Sequence, residues 1–217
     1  MLTLLVITVA LCFHGNAAFF LETSSRNVTQ TLSSTNGGQF GSWGRAEFCP
    51  QGQWAVGYDM KIEKYQFTGD DTALNSIALI CSDMDGAHFG SHAITSTEGP
   101  FGDWKGRVTC NQRPSKPMFL SAFSLQVETP QGSLDDNGAT WVKFQCEDMY
   151  GTTQMEELNK DPGKNSFGDF GPYSSSCAAG SAICGLKTKV EGNQGSNDDT
   201  TLNDVQFYCC NARDPGH

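Results

Sequence analysis

The chain has few basic residues and, beyond its first twenty positions, no apolar run long enough to span a membrane. Lysine and arginine number 14 against 24 aspartates and glutamates, a formal net charge of −10 at pH 7. This balance argues against nucleic acid or an anionic membrane surface as a partner. The lack of a second long hydrophobic stretch predicts no membrane span in the mature chain.

Several chemical signatures are also missing. The sequence has no CxxC or Cys/His cluster with metal-ligand spacing, no EF-hand loop, no phosphate loop or nucleotide fingerprint, and no Ser/His/Asp order. We therefore expect no cofactor and no metal. His88 and His92 share one loop, where solvated histidines are the default and metal binding is the alternative.

The first eighteen residues have the pattern of a secretion signal. Residues 2–13 are almost wholly apolar, and the small residues 15–18 follow them. This run is too short to cross a bilayer and ends like a signal-peptidase site. An uncleaved anchor is the alternative, because a positively charged leader is missing. We expect a secreted protein in which residues 19–217 form one domain.

The cysteine content is that of a secreted protein. Cys12 lies in the signal, which leaves eight, and an even number in a secreted chain indicates disulfides. The repeats described next make three pairs equivalent and leave a fourth: Cys49–Cys81, Cys110–Cys146, Cys177–Cys209 and Cys184–Cys210. Strand parity favours Cys184–Cys209 instead, so this last pairing stays open. Asn27 begins the one glycosylation sequon, Asn-Val-Thr.

One sequence unit occurs three times along the chain. An aspartate pair stands eleven and ten residues before a cysteine at each of three places: Asp70 and Asp71, Asp135 and Asp136, Asp198 and Asp199. A glutamate lies seven residues before each pair, at Glu63, Glu128 and Glu191. An aromatic turn opens each copy as Phe-Gly-Ser-Trp, Phe-Gly-Asp-Trp or Phe-Gly-Asp-Phe. Such spacing indicates repeats, at about residues 37–86, 98–151 and 164–211.

Each copy predicts two strands joined by a turn. Period-two alternation before each glutamate places one set of residues inward: Trp54, Val56, Tyr58, Met60 and Ile62, then Phe119, Ser121, Phe123, Leu125 and Val127, then Ala182, Cys184, Leu186, Thr188 and Val190. Helical periodicity is absent, and residues 152–160 could form two turns at most. The third copy lacks a following strand, and we predict that the segment near residues 28–34 fills it. The fold class is all-β, with three small antiparallel sheets around one core.

Residues 36–81, which include NGGQFGSWGRAEFCPQGQWAVGYDMKIE and GDDTALNSIALIC, closely resemble the vitelline membrane outer layer protein 1 family. The threefold Glu, Asp-Asp, Cys spacing extends the resemblance to Asn211. It implies a β-prism of three antiparallel Greek-key sheets with an internal pseudo-threefold repeat. It also implies a place in an egg coat or other extracellular matrix.

Site candidates are few. The repeated aspartate pairs favour turn formation over glycoside chemistry or calcium binding, because a feature present three times is architectural. Glu63, Glu128 and Asp59, which is expected to face water, are the candidate catalytic carboxylates. Residues that break the threefold pattern are the candidate ligand-binding positions: Asp103, Trp104 and Trp141. Trp43, Trp104 and Phe170 recur in register, which favours core packing at a prism end.

Two functions follow from these patterns. The first is a secreted, disulfide-stabilised structural protein of an extracellular coat, with matrix glycoproteins or glycans as partners. The alternative, which the resemblance permits, is a lysozyme-like enzyme that hydrolyses or transfers N-acetylglucosamine oligomers. That enzyme would need an acid of raised pKa beside a second carboxylate.

Overall fold

The structure is a computed structural model, and it describes residues 26–64, 72–113, 115–128, 138–164, 166–192 and 200–213. These residues form fourteen β-strands and no helix, so the all-β prediction is confirmed. Residues 152–160, the one helical candidate, contain a short strand instead. Within the described ranges no helix has the length and apolar character needed to cross a membrane. The aspartate pairs and the predicted signal lie outside the described residues.

Three long hairpins form the centres of three antiparallel sheets. The first sheet contains β4 (Trp54–Ile62), β5 (Leu74–Ser82), β6 (His92–Thr95), β7 (Asp103–Trp104) and β8 (Val108–Thr109). The second contains β9 (Met118–Val127), β10 (Ala139–Asp148), β11 (Glu156–Leu158) and β12 (Asp169–Phe170). The third contains β1 (Val28–Ser33), β2 (Ser42–Trp43), β3 (Glu47–Phe48), β13 (Ser181–Val190) and β14 (Leu202–Asn211). The orders β6-β5-β4-β7, β11-β10-β9-β12 and β1-β14-β13-β2 are Greek keys, as predicted.

Each sheet contains a short strand that comes from another repeat. The second half of an aromatic turn forms β2, β7 or β12; β7 and β12 pair with the long strand of the preceding copy, and β2 of the first copy pairs with β13 of the third. The third sheet takes its outer strand from the start of the chain, since β1 pairs antiparallel with β14. Leu32 of β1 lies opposite Phe207 and is buried in the core. The prediction that the N-terminal segment closes the last sheet is confirmed.

Glycine is required in the aromatic turns. Gly41, Gly102 and Gly168 have φ angles of 79°, 81° and 84°, which favour glycine. A Cβ atom there would lie between 2.1 and 2.4 Å from the backbone of Val190, Ile62 or Val127 in the adjacent long strand. The repeated Phe-Gly pair is therefore a close-packing requirement of the strand exchange between repeats.

A β-bulge interrupts the first long strand of every copy at the same place. The register shifts at Val56, Ser121 and Cys184, each seven residues before the repeated glutamate. A bulge adds one residue to one strand and so reverses the faces of the residues before it. The predicted inward face is therefore wrong upstream of the bulges: Ala55, Leu120 and Ile183 join the main core, while Trp54, Phe119 and Ala182 form a second cluster.

Aromatic rings from all three sheets meet in the main core. Tyr58 lies 4.7 Å from Phe144, Phe144 lies 5.1 Å from Phe207, and Phe207 lies 4.7 Å from Phe123, measured between ring centroids. The Tyr58 hydroxyl donates to the carbonyl of Val142 at 3.2 Å and accepts from the Lys160 amide. The three sheets therefore share one interior, as a β-prism requires.

The second cluster packs where the long strands begin. Trp54 and Phe119 contact edge to face at 6.2 Å, and Trp54 Nε1 donates to the carbonyl of Cys210 at 3.1 Å. We call this the cysteine end of the prism, and the opposite end, where the long hairpins turn, the hairpin end.

Four disulfides stabilise the prism. They join Cys49 to Cys81, Cys110 to Cys146, Cys177 to Cys209 and Cys184 to Cys210. The strand-parity argument for Cys184–Cys209 fails because Cys184 is the bulge residue of β13, so it lies with Cys210 in the second cluster while Cys209 faces the main core. In the chain-entropy model each closed loop of this length contributes about 3–4 kcal/mol.

Candidate functional site

Two of the repeated glutamates make hydrogen bonds that stabilise the hairpin end. The carboxylate of Glu63 accepts hydrogen bonds from the backbone amide of Thr72, at 3.1 Å, and from its hydroxyl. Glu191 makes the same pair of contacts with Thr200. These bonds close the two ends of a hairpin onto each other, so this glutamate has a structural role in both copies.

A cleft of about 330 Å³ opens at the hairpin end. It lies between the segment before the first aromatic turn, the end of the second sheet and the start of β14. The side chains on its walls include Asn36, Phe40, Glu128, Asp169, Phe170 and Asn203. Phe40 is 47% exposed, whereas Asn203 is buried and bonds to Thr200. We call this the hairpin-end cleft; it combines an exposed aromatic ring with two carboxylates and two amides.

The three predicted catalytic carboxylates do not line one cleft. Glu128 lines the hairpin-end cleft, whereas Glu63 bonds to Thr72 in the first sheet. Asp59 was expected to face water, and that expectation is wrong: its side chain is buried and accepts a bond from the backbone amide of Met60 at 2.8 Å. Alternation along β4 places Asp59 away from the core, but neighbouring segments cover that face as well.

The predicted ligand-binding residues lie on two different sheets. Asp103 and Trp104 form β7 at the edge of the first sheet, where the Asp103 carboxylate lies 3.8 Å from Lys64 Nζ. Trp141 packs on the outer face of the second sheet, 5.3 Å from the ring of Phe170. The structure therefore does not bring Asp103, Trp104 and Trp141 together.

The recurring aromatics do not pack in the core. Trp43 and Trp104 are partly exposed, and Lys187 Nζ lies 4.8 Å above the Trp43 ring. Lys143 makes the corresponding contact with Phe170 at 4.7 Å. The expectation of core packing is wrong because these residues lie on short strands whose side chains cover the outer faces of the sheets.

Sequence comparison decides the family. The model for "Vitelline membrane outer layer protein I (VOMI)" matches residues 30–212, from within β1 to just beyond β14. The chain belongs to the vitelline membrane outer layer protein I family. A human vitelline membrane outer layer protein 1 homolog is 40% identical over 193 residues, covering 88% of each chain. The mouse homolog is 36% identical over 208 residues, covering 95% of each.

Two solved lectins are similar to this member of the vitelline membrane outer layer protein I family at low identity. A mannose-binding lectin from Champedak is 12% identical with a TM-score of 0.48, covering 86% of this chain and 99% of its own. Frutapin, a lectin from Artocarpus incisa, is 12% identical with a TM-score of 0.47, covering 86% and 99%.

One acidic residue that lines the hairpin-end cleft of this family member was not predicted from the sequence. Asp169 lies in the third aromatic turn, at the position of Asp103 in the second. Both motifs are visible in the sequence, but only the fold shows that Asp169 lies beside Glu128 while Asp103 lies outside this cleft. The signal that could have found it is the strand exchange between repeats, which places the second and third aromatic turns against the preceding copy.

A second cleft, of about 290 Å³, lies at the cysteine end. Its walls include Glu147, Asp148, Tyr150, Met155, Ala178, Ser181 and Ala182. We call this the cysteine-end cleft.

No group of three or more acidic, histidine or cysteine side chains that could hold a metal ion occurs in the part of the chain that the structure describes. His88 contacts the carboxylate of Asp83 through Nδ1, and His92 contacts Ser91.

Asp148 orders the turn beside this cleft. Burial alone would raise its pKa, but the hydroxyl and amide of Thr152 and the amide of Tyr150 donate to its carboxylate at 2.8–3.0 Å. These bonds outweigh burial and lower the pKa of Asp148 from 3.8 to about 2. The ionised carboxylate is therefore part of the folded turn.

The lowered pKa of Asp148 predicts an acid-dependent loss of stability. A carboxylate whose pKa falls on folding stabilises the protein above its unfolded pKa, near 4, and loses that contribution as the pH falls through about 2. We expect Asp148→Asn to lower the free energy of unfolding by about 2 kcal/mol at pH 6 and to match the wild type below pH 2. Urea titrations across this range measure the difference. The exposed Asp103→Asn variant is the control, and an equal loss there would contradict the assignment.

Proposed function

We propose that this protein is a secreted, disulfide-stabilised component of an extracellular coat that binds glycans in the hairpin-end cleft. Membership of a family named for the outer layer of the vitelline membrane supports the location. Four disulfides support it independently, because such bonds persist in oxidising compartments. We further propose that residues 1–18 act as the secretion signal and that Asn27, which is exposed where β1 begins, carries an N-linked glycan.

The hairpin-end cleft carries the glycan proposal. A sugar ring presents an apolar face, which suits the exposed ring of Phe40, and hydroxyls, which suit the carboxylates of Glu128 and Asp169. The amide of Asn36 is fixed by a 3.0 Å bond to the carbonyl of Leu125. The backbone at this end is held by repeated bonds between hairpin ends, so the cleft is pre-organised for a small polar ligand.

A glycan array on the secreted protein, including chito-oligosaccharides and mucin glycans, tests this proposal. For the glycan that binds, we expect Asp169→Asn and Phe40→Ala each to weaken the affinity about tenfold or more, because each removes a main contact. Asp103→Asn is the matched control, since Asp103 holds the same motif position outside this cleft. An array without binding, or an equal effect of Asp103→Asn, would refute the glycan site.

The enzymatic alternative has a separate test. Of its three candidate carboxylates only Glu128 lines the hairpin-end cleft, while Glu63 and Asp59 are bonded to backbone amides. We propose binding without turnover. Product analysis after prolonged incubation with chito-oligosaccharides should then show unchanged chain lengths, and shortened or lengthened chains would replace the binding function with a glycosidase.

A further inference from the structure

The pseudo-threefold repeat produces equivalent sites between sheets at the cysteine end, and an arginine side chain fills one of them. Arg26, just before β1, donates through Nη1 to the carbonyl oxygens of Cys49, Pro50 and Gln53 at 3.0, 2.5 and 3.0 Å. Its guanidinium carbon lies 5.5 Å from the centre of the Trp54 ring. The side chain is only 8% exposed. The prism therefore already contains one buried guanidinium site built from carbonyls and an aromatic ring.

The cysteine-end cleft is the equivalent site one repeat away. The outer strands of the two sheets correspond, because Leu32 of β1 lies opposite Phe207 and Leu158 of β11 lies opposite Phe144. Counting back from the repeated glutamates matches the three carbonyl acceptors of the Arg26 site to the carbonyls of Cys177, Ala178 and Ser181, and matches Trp54 to Ala182. Alanine therefore stands where the Arg26 site has a tryptophan, and Ala182 lines the cleft of about 290 Å³.

The walls of this cleft can accept a cation. Glu147 lines the cleft, and its carboxylate makes no hydrogen bond or ion pair with any other described residue. Burial raises the pKa of Glu147, and the charge of Asp148 raises it further, so a cation beside it would offset both effects. The ring of Tyr150, which is 62% exposed, lies at the rim. The third equivalent site is lined by Arg113, so its walls already include a cationic side chain.

We infer that the cysteine-end cleft binds an arginine side chain presented by a partner protein. The guanidinium pairs with the carboxylate of Glu147 and lies against the Tyr150 ring, as a planar cation does at a carboxylate and an aromatic face. Ser181 already donates its hydroxyl to the Ala178 carbonyl at 2.6 Å, so Glu147 is the principal acceptor here, in place of the carbonyls that hold Arg26. This site lies at the opposite end of the prism from the proposed glycan cleft and does not depend on it.

Acetyl-arginine-methylamide is the probe, and acetyl-citrulline-methylamide is its neutral isostere. Titration of each into ¹⁵N-labelled protein should shift the amide signals of residues 147–155 and 176–182 with the arginine probe, and at least tenfold more weakly with citrulline. Glu147→Gln should reduce arginine affinity at least tenfold and leave the melting temperature unchanged or higher. Glu47→Gln, on the exposed strand β3, removes one negative charge elsewhere and should change nothing.

Equal shifts with the two probes, shifts confined to other residues, or full binding by Glu147→Gln would each overturn the inference.

Discussion

Replacing Leu32 by aspartate is expected to lower the free energy of unfolding by about 4 kcal/mol or more. Leu32 is the one buried residue of β1, and it contacts the core that all three sheets share. Truncating a buried leucine costs about 2–5 kcal/mol, and an unpaired buried carboxylate adds a desolvation penalty. Because β1 completes the third sheet, the variant also leaves the outer edge of β14 without a stable partner. Most of the stability of a typical domain would be lost.

Thr31→Asp is the matched control for this variant. Thr31 is the preceding residue of the same strand, and its side chain is exposed. The two variants carry the same new charge and the same low strand propensity, so their difference measures burial of β1 against the core. Chemical denaturation of the disulfide-intact proteins gives both values. Similar losses in the two variants would show that β1 does not close the prism.

Phe144→Ala is expected to be nearly as damaging. Phe144 of the second sheet contacts Tyr58 of the first and Phe207 of the third, so its removal leaves a cavity where the three sheets meet. Such a truncation costs about 3–5 kcal/mol, which for a chain of this size is a fall in melting temperature of about 6–20 °C. Calorimetry under non-reducing conditions measures the change.

Two further variants test the position of the ring. Phe144→Leu should lose less than half as much, because leucine fills part of the cavity. Lys143→Ala should cost no more than about 1 kcal/mol, since Lys143 lies on the opposite face, 3.0 Å from Glu157 in a partly exposed ion pair. A loss for Lys143→Ala as large as that for Phe144→Ala would contradict the shared core.

The sequence predicts the architecture well because the information is written three times. The glutamate, aspartate and cysteine spacings define the long hairpins, and the missing final strand predicts the place of β1. The bulges at Val56, Ser121 and Cys184 escape prediction because both faces of the strand are apolar near its start. Trp54 belongs to the second cluster and Ala55 to the main core, so hydrophobicity there does not report the register.

The sites are less predictable because each is formed between repeats. Asp169 lines the same cleft as Glu128 only because of the strand exchange, and Asp59 is buried despite its place on the face away from the core. Ala182 lines the cysteine-end cleft, and its significance appears only when Trp54 is seen beside Arg26 at the equivalent position. Composition and periodicity describe single strands and carry no information on such neighbours.

The pairing of β1 with β14 also bears on where the backbone is cut. Val28 lies opposite Cys210, so the two ends of the described chain are adjacent strands about 5 Å apart. A gene that began after Ser34 and carried β1 behind its last strand would encode three uninterrupted copies of a three-stranded meander. The order of the described strands is thus a circular permutation of that simpler one, in which hydrogen bonds between β1 and β14 stand in place of a peptide connection.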